Sequence, residues 1–134
     1  MSDQRNFYYT SKIRVFYEDP SFGPGVASLL QLIQSCGSIK KACLQMNMAY
    51  SKAWKILKAA EKDLGFPLLC RVTGGKGGGF SQLTPEGKVM LDRYEHFFQK
   101  ANAATNQYFL EYFHSFMPKD SFLYHRLSPK RLSV

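Results

Sequence analysis

The amino-acid sequence predicts a mainly α-helical fold with a small β wing, and three observations predict it. Between Ser38 and Leu64, two short runs of apolar residues recur at helical spacing, with Asn47 between them. Just downstream, five of the chain's ten glycines fall within positions 74–79, between two strand-like runs. Glycine leaves the backbone bare there, so it can approach another molecule closely. From Pro85 to Phe116 no proline interrupts a long aromatic-rich stretch, and Met117-Pro118 then ends it. Two helices joined by a tight turn, a glycine-tipped hairpin and a long helix together describe a winged helix-turn-helix with a C-terminal dimerisation helix.

Taken in order, residues 7–17 (Phe7, Tyr8, Tyr9, Ile13, Val15, Tyr17) are aromatic and β-branched, alternating with Lys12 and Arg14, and read as a strand. Asp19 to Gly25 supplies turn residues that break it. Val26, Leu29, Leu30 and Ile33 then stand at i, i+3, i+4, i+7, the stripe of a helix that Gly37 stops. Ser38 caps a second helix with Ile39, Ala42, Cys43 and Met46 on one face. Asn47 tolerates the left-handed conformation that a sharp turn needs. The third helix, 49–64, buries Ala53, Ile56, Leu57, Ala60 and Leu64 and is stopped by Gly65 and Pro67. On a helical wheel Ser51, Lys55, Lys58 and Lys62 stand opposite that stripe, Lys52 on one flank, Tyr50 and Trp54 on the other.

Leu68, Leu69, Cys70 and Val72, then Phe80 and Leu83, make two short strands around the glycine loop. Thr84 caps the last helix, Pro85 opens it and Glu86 favours its positive end. Thirty-two residues at about 1.5 Å each make roughly 48 Å, too long for so small a domain to cover. Leu91, Tyr94, Phe98, Ala101, Thr105, Tyr108 and Tyr112 alternate by three and four along it, the pattern of a homodimer seam. The expected organisation is 1–84 winged helix-turn-helix, 85–117 dimerisation helix and 118–134 a basic, mobile tail.

Charge points to the partner. The chain of 134 residues has a formal net charge of +8, and positions 38–80 hold eight basic residues against two acidic ones, Glu61 and Asp63. A basic patch confined to one unit is the footprint expected for a phosphate backbone, here double-stranded DNA. Three cysteines without Cys-x-x-Cys spacing suggest a reduced, cytoplasmic setting and core-filling roles, Cys70 beside Arg71 being the one worth a redox test. No secretory leader opens the sequence, and no apolar run is long enough for a membrane span. The glycine loop is not a nucleotide cradle, because Lys76 precedes three glycines and a strand rather than a helix. His96, His114 and His125 are too far apart for a local metal motif, and no paired carboxylates or nucleophile–base spacing suggests catalysis. No enzyme activity, metal or cofactor is expected.

Ser38-Ile39-x-x-x-Cys43, Ala49-Tyr50-Ser51-Lys52-Ala53-Trp54 and Thr73-Gly74-Gly75-Lys76-Gly77-Gly78-Gly79 followed by Leu83-Thr84 closely resemble the N-terminal DNA-binding domain of the ModE family of molybdate-responsive transcriptional regulators. The resemblance covers about residues 7–115. It implies a LysR-like winged helix-turn-helix that binds DNA as a homodimer. Two departures stand out. The family has serine where Ala49 stands, so a helix cap is missing, a loss of roughly 1 kcal/mol. Only 17 residues follow Met117, so no ligand domain is evident. On this resemblance the fold is expected to carry over and the molybdate response is not.

The expected DNA-binding residues follow. Tyr50, Ser51, Lys52 and Lys55 meet base edges in the major groove, lysine favouring guanine, with Lys58 beside them. The helix end at Ser38 faces a phosphate. The wing carries Lys76 between Gly75 and Gly77 to the flanking backbone or minor groove. Backbone contacts are expected to dominate affinity. Trp54 is expected to pack rather than to contact a base. The alternative from another class is a protein-interaction adaptor that uses the same scaffold and the aromatic helix. An RNA-binding module fits less well, because the deep, narrow major groove of A-form RNA does not admit a helix.

Overall fold

The computed structural model describes residues 6–19, 21–72 and 80–118. They fall into two compact units, Lys12–His96 and a second formed by residues 6–11 with 97–118.

In the first unit, α1 (Pro24–Cys36) opens with proline at its first position, where the missing N–H is not needed. Its face of Val26, Ala27, Leu29, Leu30 and Ile33 is buried. Gly37 ends it in the left-handed conformation (φ 73°), its N–H donating to the Ile33 carbonyl at 2.7 Å. One residue later Ser38 caps α2 (Ile39–Met46), its hydroxyl accepting from the Lys41 amide at 3.2 Å. Asn47 takes the left-handed conformation (φ 53°) and turns the chain into α3 (Tyr50–Leu64). Ala49 precedes α3 with no side-chain cap, as the sequence implies. Ala42, Ala53 and Ala60 are completely buried, and such small side chains let the helices approach closely.

The hairpin of β1 (Leu69–Val72) and β2 (Phe80–Leu83) is antiparallel, pairing Leu69 with Leu83 and Val72 with Phe80. It is tied down at both ends. The Ser81 amide donates to the Gly37 carbonyl at 2.9 Å, which fixes β2 to the α1–α2 junction. The Thr84 amide donates to the Leu68 carbonyl at 3.0 Å, and the Thr84 hydroxyl to the Pro67 carbonyl at 2.6 Å. That same hydroxyl accepts from the Gly87 amide at 2.9 Å and so caps α4 (Pro85–Phe113). A short 3₁₀ turn, His114–Phe116, finishes that helix where the sequence expects it to stop.

The strand expected over 7–17 is not formed. One isolated antiparallel bridge joins Val15 to Phe22, with hydrogen bonds of 2.7 and 3.2 Å. Among the described residues no other strand lies alongside, so the extended segment is anchored through side chains and single bonds instead. Phe22 is fully buried, edge-on to Tyr94 at 5.2 Å between ring centres, and the Tyr94 hydroxyl donates to the Ile13 carbonyl at 3.0 Å. Asp63 near the end of α3 accepts from the amides of Tyr17, Glu18 and Asp19 at 2.9–3.1 Å and from the Ser21 hydroxyl at 2.9 Å.

The second unit is an aromatic cluster. Phe7 stacks on Phe109 at 5.7 Å and on Phe116 at 5.6 Å, and Tyr9 lies 4.8 Å from Phe109. The Tyr9 hydroxyl donates to the Asn106 side-chain oxygen. Leu110 and Met117 are its buried aliphatic residues. The wing tip, 73–79, and the basic tail from 119 onward lie outside the described residues.

Candidate nucleic-acid interface

The interface is built on α3. Ala53, Leu57 and Ala60 bury one face of it, and at helical spacing this leaves Ser51, Lys52, Lys55 and Lys58 exposed, as the wheel predicts. Ile56 and Leu64, expected in the same stripe, are only half-buried and edge it. Tyr50 is exposed at the first turn and meets Trp54 edge-on, ring centres 6.2 Å apart. Trp54 is half-buried, which fits its expected packing role.

Lys58 differs from its neighbours. Its ammonium lies 5.4 Å from the centre of the Trp54 ring and 3.5 Å from a Glu61 carboxylate oxygen, although the side chain is 69% exposed. Contact with a phosphate therefore exchanges existing partners, whereas Lys52 and Lys55 have no ion pair with another described residue. Ser38 is half-buried, and its hydroxyl is engaged in capping α2. Gly75, Lys76 and Gly77 lie outside the described residues, but their base is in place. Exposed Arg71 opposes Ser81, and half-exposed Phe80 sits over Gly37.

Two carboxylates hold this surface from behind. Glu61 accepts from the Leu68 amide at 2.7 Å and so joins α3 to the hairpin. Asp63 joins α3 to the segment before α1. The amides of Glu18, Asp19 and Tyr17 pull the Asp63 carboxyl down to about 2, against the small opposing effect of burial, with the Ser21 hydroxyl adding to the pull. A local sequence pattern holds no signal for this role, since the partners lie more than 40 positions away. Burial pushes the Cys43 thiol up, which keeps it protonated and suits a core residue.

The expected dimer seam divides in two. Leu91 and Tyr94 are 3% and 5% exposed and belong to the chain's own core, which removes them from any surface seam. Tyr94 is held by the segment before α1, edge-on to Phe22 and donating to the Ile13 carbonyl. Phe98 and Ala101 are half-buried, Thr105 is exposed with its hydroxyl donating to the Ala101 carbonyl, and Tyr108 and Tyr112 are 61% and 71% exposed. Among the described residues no group of three or more His, Cys, Asp or Glu is placed to hold a metal ion. No helix among them is long and apolar enough to cross a membrane.

Residues 28–88 match the bacterial regulatory helix-turn-helix proteins of the LysR family. That stretch is similar to a LysR-type helix-turn-helix domain. The match runs from within α1, through α2 and α3, to the first turn of α4, and so includes the whole hairpin. About half of the chain is also similar to curated relatives. The transcriptional regulator ModE of Haemophilus influenzae is 42% identical over 72 residues, covering 54% of this chain and 28% of that protein. The molybdenum transport protein ModE of Herbaspirillum seropedicae is 39% identical over 64 residues, covering 48% and 24%. The DNA-binding transcriptional dual regulator ModE of Escherichia coli K12 is 33% identical over 72 residues, covering 54% and 28%. The chain thus spans about a quarter of the length of these relatives.

Proposed function

We propose that this protein is a sequence-specific DNA-binding transcriptional regulator that acts in the cytoplasm as a homodimer. The observation that carries this reading is the two-sided build of α3, with alanine and leucine on one side and Ser51, Lys52, Lys55 and Lys58 exposed on the other. The helix enters the major groove by its first turns, where Tyr50, Ser51, Lys52 and Lys55 reach base edges. The glycine-rich wing, with Lys76, tracks the flanking backbone. The half of α4 beyond His96 pairs with a second copy through Phe98, Ala101, Thr105, Tyr108 and Tyr112. The relatives named as regulators support the same reading.

Salt dependence tests it. About four cations per chain on phosphates make about eight for a dimer, and a log–log salt slope near −7. A slope shallower than about −2 sinks the proposal. Reversing charge with Lys55→Glu and Lys76→Glu is expected to abolish selective binding, and its survival in both variants refutes the assignment. Light scattering separates this reading from an adaptor. A stable dimer fits the regulator, and a self-sticking monomer that captures no DNA fits the adaptor.

A further inference from the structure

A second cationic site lies beside α3, and two of its three cations stand outside the helix-turn-helix match. A cleft of about 430 Å³ is lined by Lys12 and Arg14 from the extended segment, Lys52 from α3 and the uncapped start of α1 at Gly23 and Gly25. No carboxylate lines it among the described residues. All three cations are exposed, and none forms an ion pair with another described residue. Three like charges around one cleft repel each other until an anion enters.

The segment that carries two of them is held in place on both sides of Arg14. The Ile13 carbonyl accepts from the Tyr94 hydroxyl, Val15 is bridged to Phe22, and the amides of residues 17–19 bind Asp63. Gly23 sits under the Arg14 stem, where a Cβ would stand only 3.1 Å from the Arg14 Cγ. A backbone held in this way keeps both cations at the cleft, so that binding an anion orders side chains only. Lys12 and Arg14 stand two positions apart and so share one face of an extended chain, a signal the sequence contains.

We propose that Lys12 and Arg14, next to Lys52, form a seat for the DNA backbone, so that the segment before α1 extends the duplex contact beyond the helix-turn-helix. The inference rests on the DNA-binding reading above. Lys52 supplies the continuity, because it belongs both to the exposed face of α3 and to the cleft. Arginine suits phosphate through its paired donors. Contacts of this kind fix position on the duplex without reading sequence.

The test uses the full chain, fluorescence anisotropy, a random-sequence duplex and duplexes enriched by the protein from a randomised pool. The double variant Lys12→Gln with Arg14→Gln is compared with Lys88→Gln with Lys100→Gln, which removes the same charge from exposed positions of α4. The first variant is expected to flatten the salt slope by about 0.9 for each phosphate that is no longer neutralised. Between about 50 and 200 mM salt the fall in affinity then shrinks about twelvefold per chain. Both duplex types weaken alike, so their affinity ratio stays the same, and Lys12→Arg with Arg14→Lys keeps the slope. An unchanged slope in the first variant, or an equal flattening in the α4 variant, overturns the cleft alone. If the unaltered chain binds neither duplex in a salt-dependent way, the DNA-binding reading fails and takes the cleft with it.

Discussion

Gly87 makes a sharp test of how the wing is seated. It lies in the first turn of α4, where helix propensity alone says that Gly87→Ala stabilises by about 1 kcal/mol. The structure says the reverse. A Cβ at Gly87 would stand 2.4 Å from the Leu68 carbonyl oxygen and 3.1 Å from the Thr84 hydroxyl oxygen. The first of these atoms is backbone and already accepts from the Thr84 amide at 3.0 Å, so relief requires the hairpin and the helix to separate. Overpacking costs about 1–3 kcal/mol, and a strained backbone hydrogen bond adds about 1. After the propensity gain the net is a destabilisation of about 1–3 kcal/mol. For a chain of this size that lowers Tm by roughly 4–10 °C, readable by circular dichroism. Gly25→Ala in α1 is the matched control. A Cβ there meets nothing within 4 Å, so this change is expected to stabilise by a few tenths to about 1 kcal/mol. If Gly87→Ala raises Tm as Gly25→Ala does, the close seating of the hairpin on α4 is wrong.

The other predictions concern Asp63 and α4. The Asp63 carboxyl, at about 2 in the folded chain against an ordinary 3.8, contributes stability that is fully present above about pH 4 and is lost as pH falls through about 2. The native chain is therefore expected to lose stability more steeply across that window than Asp63→Asn, which has no charge to lose, and parallel acid-unfolding curves refute the clip. Leu91→Ala is expected to destabilise the folded chain by about 2–5 kcal/mol, since it removes a buried leucine. Tyr112→Ala is expected to leave the far-ultraviolet spectrum unchanged and to shift self-association to higher concentration, read by light scattering on dilution. A Tyr112→Ala chain that associates as well as the parent removes that side chain from the seam.

Much of the helical unit was legible because its signals are local. The spacing of Val26, Leu29, Leu30 and Ile33 marks α1, the caps at Gly37 and Ser38 follow from residue type, and Asn47 marks the turn. What escaped depends on distant partners. Residues 7–17 have strand composition, yet Phe7 and Tyr9 pack against Phe109 and, among the described residues, only Val15 makes a bridge. Phe22 sits among turn residues and is nevertheless a fully buried core side chain. The three–four pattern of α4 marks an apolar face but does not say which chain covers it. Leu91 and Tyr94 are covered by their own chain, while Tyr108 and Tyr112 are left outside.

The two acids within the basic span have a shared logic. Negative charge on a DNA-facing helix opposes binding, yet Glu61 and Asp63 both sit on α3. Each is engaged with backbone amides, Glu61 with Leu68 and Asp63 with residues 17–19. Both also stand at the far end of the helix. From Tyr50 to Glu61 the rise is about 16 Å and from Ser51 to Asp63 about 18 Å, beyond a screening length of about 8–10 Å at physiological salt. The acids thus fix the C-terminal half of α3 to the hairpin and to the extended segment; Glu61 also pairs with Lys58 at 3.5 Å, so it is the field at the first turn, up to Lys52, that they leave as it is. Moving such an acid to an exposed early position separates charge from anchoring. Lys55→Glu is predicted to keep the fold and to lose the duplex, whereas Asp63→Asn loosens the segment that carries Lys12 and Arg14 and leaves the charge at the first turn as it was.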